Sequence, residues 1–280
     1  VRWTKTELVE VYSKHPLQEK TILERLRRQR KDLNRLTELD LAVDEKTEIT
    51  DQNHIGGLRF TEELAQAAGI TSASRVLDLG SGLGGSARVI ANLCPCSIQG
   101  IELTRSRYND AVSLTQRLGM ADQIRFICGD FLTEDLPNGS YDVIVAQATL
   151  AHFPDKKEVL DRCARLLKSD GRLAVEEAYL VGNGWNDQAR EQLRVLENCW
   201  KSYLMPLNEW LAQSAMASLT VIVNQDLTSA FVNYYSGLLR KTTRAPRGTV
   251  TEQEVQGWKN GLALADAGLL LYVRTVAKKI

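Results

Sequence analysis

The chain has little that would commit it to a membrane, a metal or a polyanion. Its longest apolar runs, at 262–265 and 268–273, fall far short of the ~18–20 residues that cross a bilayer, so no integral membrane segment is expected. Histidines number three. Cysteines number five, at 94, 96, 128, 163 and 199, an odd count at irregular spacing that supplies no disulfide framework. Cys94-Pro-Cys96 is too short for a redox C-x-x-C, and no second cysteine pair or histidine cluster completes a zinc site, so no metal is expected. Buried thiols in a reducing, cytoplasmic compartment are the simplest expectation. Net charge is also absent, with 35 Lys+Arg against 35 Asp+Glu. No global attraction to nucleic acid or anionic lipid follows from that balance, and a small-molecule partner is favoured. The start, Val1-Arg-Trp-Thr-Lys5, shows no signal-peptide pattern, and the absence of Met fits a missing N-terminal start.

What is present is an ordinary globular composition, 44% hydrophobic and 25% charged over 280 residues. That length suits one large domain or one domain with an insertion. Residues 17–41 read as a helix, with Ile22, Leu26, Leu33 and Leu36 as its apolar stripe. The basic stretch 25–31 within it is flanked by acids and reads as a solvated face. From residue 75 short Val/Ile-rich runs alternate with helical stretches. Strands are expected at 75–79, 97–102, 124–128, 141–146 and 172–176, with helices at 85–93, 104–118 and 156–167. Such alternation implies a parallel sheet with helices on both faces. Beyond 180, helices are expected at 186–203, 228–239 and 252–267, with strands at 219–223 and 269–276. Trp185, Trp200, Trp210 and Trp258, joined by Tyr203, Phe231, Tyr234 and Tyr235, make this region rich in aromatics. It reads either as a substrate cap or as plain packing of an insertion.

The strongest local signal is Val76-Leu-Asp-Leu-Gly-Ser-Gly-Leu-Gly-Gly-Ser-Ala-Arg88, a strand, a glycine turn and a helix start. Gly80, Gly82 and Gly85 satisfy G-x-G-x-x-G, and Glu102 ends the next strand, where a carboxylate suits ribose hydroxyls. Alone, these features fit a nicotinamide dinucleotide as well as another adenosyl cofactor. Three details favour the second. Asp78 would repel a pyrophosphate but suits a ligand bearing ammonium and sulfonium charge. Asp130 can accept from an adenine amino group while Phe131 covers the ring. The strand 141–146, followed by Gln147, ends at the same crevice.

Taken together, the glycine loop, Glu102, Gly129-Asp-Phe131, Tyr141-Asp-Val-Ile144 and Leu167-Lys-Ser-Asp-Gly-Arg-Leu173 resemble the ordered motifs of class I S-adenosylmethionine (SAM)-dependent methyltransferases. The likeness covers roughly residues 60–180. Asp51-Gln-Asn-His-Ile-Gly-Gly57 and the late helices are similar to the sarcosine/dimethylglycine and tocopherol methyltransferase group of small-molecule enzymes. The resemblance implies a Rossmann-like, seven-stranded, mostly parallel α/β sheet with helices on both faces. An N-terminal helical lid (1–60), a SAM-binding core (61–180), cap helices with the sixth strand (181–268) and a last strand (269–280) would complete it. It also implies site roles. Asp78, Gly80, Ser81 and Gly82 would surround the methionyl part of SAM. Glu102 would hold the ribose, with Leu103 beside the adenine and Asp130 and Phe131 at its end. Gln147 would lie near the sulfonium, and Gly56 and Gly57 would close over the amino-acid moiety. The product would be S-adenosyl-L-homocysteine.

The implied activity is methyl transfer to a small molecule, at an amine nitrogen or an aromatic or activated carbon in preference to oxygen. A nicotinamide-dependent oxidoreductase and a non-catalytic SAM-binding protein on the same fold are the alternatives. For a base or substrate partner, His152 in Leu150-Ala-His-Phe-Pro154 comes first, since it follows the fourth strand. His54 on the lid is second and His15 third, and Tyr12 of the N-terminal segment can also reach the site. Acceptor identity and oligomeric state are left open by the sequence.

Overall fold

The computed structural model describes residues 3–44, 49–242 and 251–280. Four helices precede the sheet: α1 (Lys5–Ser13), α2 (Glu19–Arg28), α3 (Glu38–Ala42) and α4 (Gly57–Ala68). Then come β1 (Arg75–Leu79), α5 (Gly85–Leu93), β2 (Ser97–Glu102), α6 (Arg105–Arg117), β3 (Ile124–Cys128) and β4 (Tyr141–Gln147). A short 3-10 turn, Leu150–His152, leads to α7 (Lys156–Leu166) and the long β5 (Leu167–Leu180). The chain continues through α8 (Asp187–Trp200), α9 (Leu207–Met216), β6 (Leu219–Asp226), α10 (Thr228–Thr242), α11 (Glu252–Asp266) and β7 (Leu270–Lys279).

The seven strands form one sheet in the order β3-β2-β1-β4-β5-β7-β6. All neighbours are parallel except β7, which runs antiparallel to both β5 and β6. The Rossmann-like, mostly parallel sheet expected above is therefore the one observed. Alternating residues of the strands enter two different cores, as the two-residue period requires. Val76, Ile98, Val143 and Val145 pack with Leu64, Ala87 and Ile90 of α4 and α5. Leu77, Leu79, Ile101 and Ile144 pack with Val159, Leu160 and Trp210 on the opposite face. The strand order reverses between β1 and β4, which opens a crevice at the carboxyl ends of these strands.

The helix expected over 17–41 is two helices. After α2 the chain turns at Arg30, whose φ of 59° is left-handed. Asp32 then accepts the Asn34 N–H at 3.0 Å, a local bond that competes with helix. Thr37 and Asp40 form a capping box that starts α3 anew. The fifth strand also runs beyond the expected 172–176. A bulge carrying Asp170 at φ 64° interrupts its pairing with β4 between Tyr141 and Val143, which hides its first half from a pattern reading. Among the described residues no helix is long and apolar enough to cross a membrane.

The aromatic residues of the late insertion are mostly core. Phe231 is fully buried, and its ring contacts Trp200, Tyr235 and Tyr272. Trp258 joins through Tyr235, and Trp185 and Tyr234 flank the same cluster. Trp210 packs instead against Tyr179, with ring centroids 5.7 Å apart.

Candidate active site

A cavity of about 400 Å³ opens at the β1/β4 crevice. One wall is the glycine turn. Gly80 has φ 70°, and a Cβ there would meet the Thr149 side chain at 2.4 Å, so only glycine fits. The Gly80 and Ser81 amides both donate to the Ile101 carbonyl, at 2.9 and 3.0 Å, which welds the turn to the end of β2. Gly85 begins α5 so close to the Asp51 carbonyl that a Cβ would sit 2.4 Å from it. Asp51 itself forms a fully buried ion pair with Arg88 at 2.8 Å, which ties the segment before α4 to α5.

The acidic residues expected around the cofactor converge on this cavity. Asp78 is 3% exposed, and its Oδ2 has no hydrogen-bond partner. Burial, helped by the Glu102 charge, pushes its carboxyl up to about 7. An orphaned buried carboxylate oxygen beside a glycine cradle is a fitting receptor for a ligand that brings its own cation. Glu102 accepts the Gly82 amide at 2.9 Å with Oε2 and the Thr104 amide at 2.8 Å with Oε1. These bonds orient both carboxylate oxygens and leave further lone pairs for hydroxyl donors. Asp130 accepts the Leu132 amide at 3.0 Å, while its other oxygen is bound by Lys5 of α1. Phe131 is buried and meets Phe153 edge-on at 6.1 Å. Ser81, Gly82, Leu103 and Gln147 also line the cavity. Gln147 is bound by Ser86 at 2.8 Å and Thr61 at 3.1 Å and donates to Glu176 at 2.7 Å.

Gly56 and Gly57 lie off the cavity wall, where they start α4. Their neighbours Asp51, Asn53 and His54 reach the wall instead. His54 is buried within hydrogen-bond reach of Gln52, Thr61 and Ser86, and burial pushes it down to about 4. His15 is off the wall, 3.6 Å from Glu254, and burial pushes it down to about 3.

The opposite wall joins residues far apart in sequence. The Tyr12 hydroxyl lies 2.9 Å from His152 Nε2, and His152 Nδ1 lies 3.0 Å from the Lys201 carbonyl. A carbonyl only accepts, so Nδ1 carries the proton, and Nε2 accepts from Tyr12. Burial holds the imidazole neutral, down at about 4, and pushes the Tyr12 phenol up to about 12. The Arg107 guanidinium stands 5.3 Å over the Tyr12 ring. Trp3 and Tyr203 pair beside them at 4.8 Å and complete this end of the cavity. Arg107, Lys5 and Trp3 were not anticipated, and Tyr203 was named only among the aromatics of a possible cap. Arg107 had a usable signal, since it follows Glu102 closely in the first turn of α6. The pairing of Tyr203 with Trp3 had none, because only folding brings the two rings together.

Comparison with known proteins bears on the family and the fold. The family profile described as a methyltransferase domain matches residues 70–225, more than half of the chain. The chain belongs to this methyltransferase-domain family. A sterol 24-C-methyltransferase of Eremothecium gossypii is 34% identical over 125 residues, 45% of this methyltransferase-domain chain and 34% of that protein. The phosphoethanolamine N-methyltransferase of Plasmodium falciparum is 26% identical over 196 residues, 68% of this chain and 70% of its own. The structure described as a sarcosine dimethylglycine methyltransferase of Galdieria sulphuraria superposes with a TM-score of 0.70 at 23% identity. That match covers 79% of this chain and 86% of the other, and it bears on the fold alone. Against three sterol methyltransferases, the matched segment spans only 34%, 45% and 56% of their lengths.

Proposed function

We propose that this protein is a SAM-dependent methyltransferase acting on a small-molecule acceptor, at an amine nitrogen or an activated carbon. The observation that carries the reading is the pairing of two unlike walls in one cavity. Asp78, Glu102 and the glycine turn form one, and the Tyr12–His152 hydrogen bond of 2.9 Å forms the other.

In this reading Asp78 faces the charged methionyl end of the cofactor and Glu102 takes the ribose hydroxyls. Leu103, Asp130 and Phe131 receive the adenine end, and Gln147 lies toward the sulfonium. Bound SAM supplies an electrophilic methyl group on a cationic sulfur. The protein's task is then to align the acceptor, exclude water and manage one proton. The neutral His152 imidazole offers Nε2 as a proton acceptor. The Tyr12 phenol, protonated at neutral pH, hydrogen-bonds to it and can relay or orient. With Nδ1 fixed on the Lys201 carbonyl, the tautomer is set before any acceptor arrives.

The relatives named above methylate carbon in one case and nitrogen in another, so both acceptor types stay in the proposal. A nucleic-acid acceptor is disfavoured by the balanced charge of the chain. The cytoplasm is the proposed compartment, supported by five cysteines that are all free. The test is calorimetric titration with SAM and S-adenosylhomocysteine, followed by labelled-methyl transfer to panels of amines, sterols and prenyl compounds. Binding with transfer to one panel member is expected. Absence of binding at millimolar ligand overturns the reading, and binding without transfer to any acceptor favours the non-catalytic alternative.

A further inference from the structure

The 3-10 turn Leu150–His152 presents its backbone groups to the protein interior, and two buried charged side chains collect them. Lys156 Nζ donates to the carbonyls of Leu150 at 2.8 Å, Ala151 at 3.2 Å and Phe153 at 2.5 Å. Glu177 Oε2 accepts the Ala151 amide at 2.9 Å, and its Oε1 accepts the Ala178 amide at 3.1 Å. The Ala151 carbonyl takes a second bond, 2.7 Å long, from the Tyr203 amide. Lys156 and Glu177 are only 8% and 6% exposed.

Both charges sit where burial is costly. Lys156 is the first residue of α7, where the helix macrodipole disfavours a cation. Burying an ammonium is costly unless every proton finds an acceptor, and here three protons meet three carbonyls. An apolar side chain of the same length would fill the space beside Tyr179, Met205 and Trp210 but would leave the three carbonyls without this donor and the Glu177 carboxylate without its cation. What the charge adds is direction: three convergent bonds define the path of the backbone that carries His152.

We propose that Lys156 and Glu177 are positioning residues for the Tyr12–His152 pair, and that they set the imidazole by clamping the turn beneath it. The proposal rests on the reading of that pair as the proton-handling group. Lys156 works through three carbonyls and Glu177 through one amide, and neither lies on the wall of the large cavity. The Lys201 carbonyl that holds Nδ1 and the Tyr203 amide that holds Ala151 flank the same turn, so the clamp closes around it from two sides. Without Lys156 the turn loses three donors at once and the imidazole is free to leave Tyr12.

The test uses the full chain with ¹⁵N-labelled histidine, the His152 signals being assigned with His152→Gln. In the parent protein the ring should show the Nδ1–H tautomer and a midpoint near about 4. Lys156→Met should lower kcat by roughly tenfold to a hundredfold, the scale of an ångström misplacement. SAM affinity should stay within about twofold, and the His152 midpoint should move toward the ordinary histidine value of about 6.5. Lys156→Arg should recover part of both. Glu177→Leu, which removes the acceptor of the Ala151 amide, covers the case in which Lys156→Met does not fold, and should shift the same signals. A folded Lys156→Met protein with parent kcat and parent His152 signals overturns the proposal, as does a folded Glu177→Leu protein with neither change when it must stand alone. If the parent protein transfers no methyl group at all, the functional reading fails, and the histidine signals alone decide the clamp.

Discussion

The two walls of the cavity are built in different ways. The β1/β2 wall comes from a contiguous stretch, residues 78 to 104, and much of its geometry is backbone: a left-handed Gly80, amides on the Ile101 carbonyl, amides on Glu102. The Tyr12 wall is assembled from α1, the turn after β4 and the α8–α9 connection, and nearly all of it is side chain. A wall made of backbone is specified locally and tolerates little change. A wall made of remote side chains can be altered without disturbing the sheet. In the proposed function, cofactor recognition belongs to the first wall and acceptor recognition to the second.

The largest expected effect separates the two. His152→Gln should cut kcat by about a hundredfold to ten-thousandfold, the usual worth of a positioned acid–base group, while SAM affinity changes less than about threefold. Equal losses in rate and affinity, measured by steady-state kinetics and calorimetry, would merge the walls. Next is Phe231→Ala, in the aromatic cluster that belongs to neither wall. It should cost about 3–5 kcal/mol in chemical denaturation and leave KM for the acceptor unchanged once folded. A KM rise without lost stability would return the insertion to the role of substrate cap. Glu102→Ala should weaken SAM binding by roughly tenfold to a hundredfold, since charge-assisted hydrogen bonds contribute about 1.5–3 kcal/mol, and should leave the His152 titration untouched.

The pH dependence sharpens the same distinction. Asp78 is raised to about 7 in the free protein, so below that pH it is largely protonated. A cationic ligand favours the ionised form, and binding therefore releases a proton. Affinity should fall up to tenfold per pH unit as pH drops below about 7. Calorimetry in buffers of different ionisation enthalpy measures the release, and a pH-independent affinity would remove Asp78 from the site. His152, lowered to about 4, stays neutral across this window, so any rate loss at saturating SAM should appear only at more acid pH. The smallest effect belongs to Lys5→Ala. The Lys5 side chain is 62% exposed, and such a solvent-screened pair with Asp130 contributes at most about 1 kcal/mol. Stopped-flow SAM association should change by only a few-fold.

Much of the first wall was legible because its chemistry is written in adjacent residues. Asp78, Gly80, Gly82, Glu102 and Asp130 were all assigned from strand ends and the turn, and all five line the cavity. Gly56 and Gly57 were expected over the ligand, but they serve to start α4, with Asp51 and His54 taking the wall. The helix over 17–41 broke because side-chain bonds at Asp32 and Thr37 competed with the helical ladder, which apolar periodicity does not register. For the aromatics beyond residue 184, composition left packing and ligand contact equally open. Among the described residues only Tyr203 of that group reaches the cavity.

The positions of most strands along the chain, the glycine turn and the acidic residues at strand ends follow from the sequence itself. Each depends on local conformation, on a period of two or 3.6, or on a side chain a few residues from a turn. The Tyr12–His152 bond, the Lys201 carbonyl behind it and the Lys156–Glu177 clamp beneath it were decided only by tertiary structure. They join groups up to 140 positions apart, and no local rule carries that information. The distance and direction between such groups exist only once the sheet and its helices have packed.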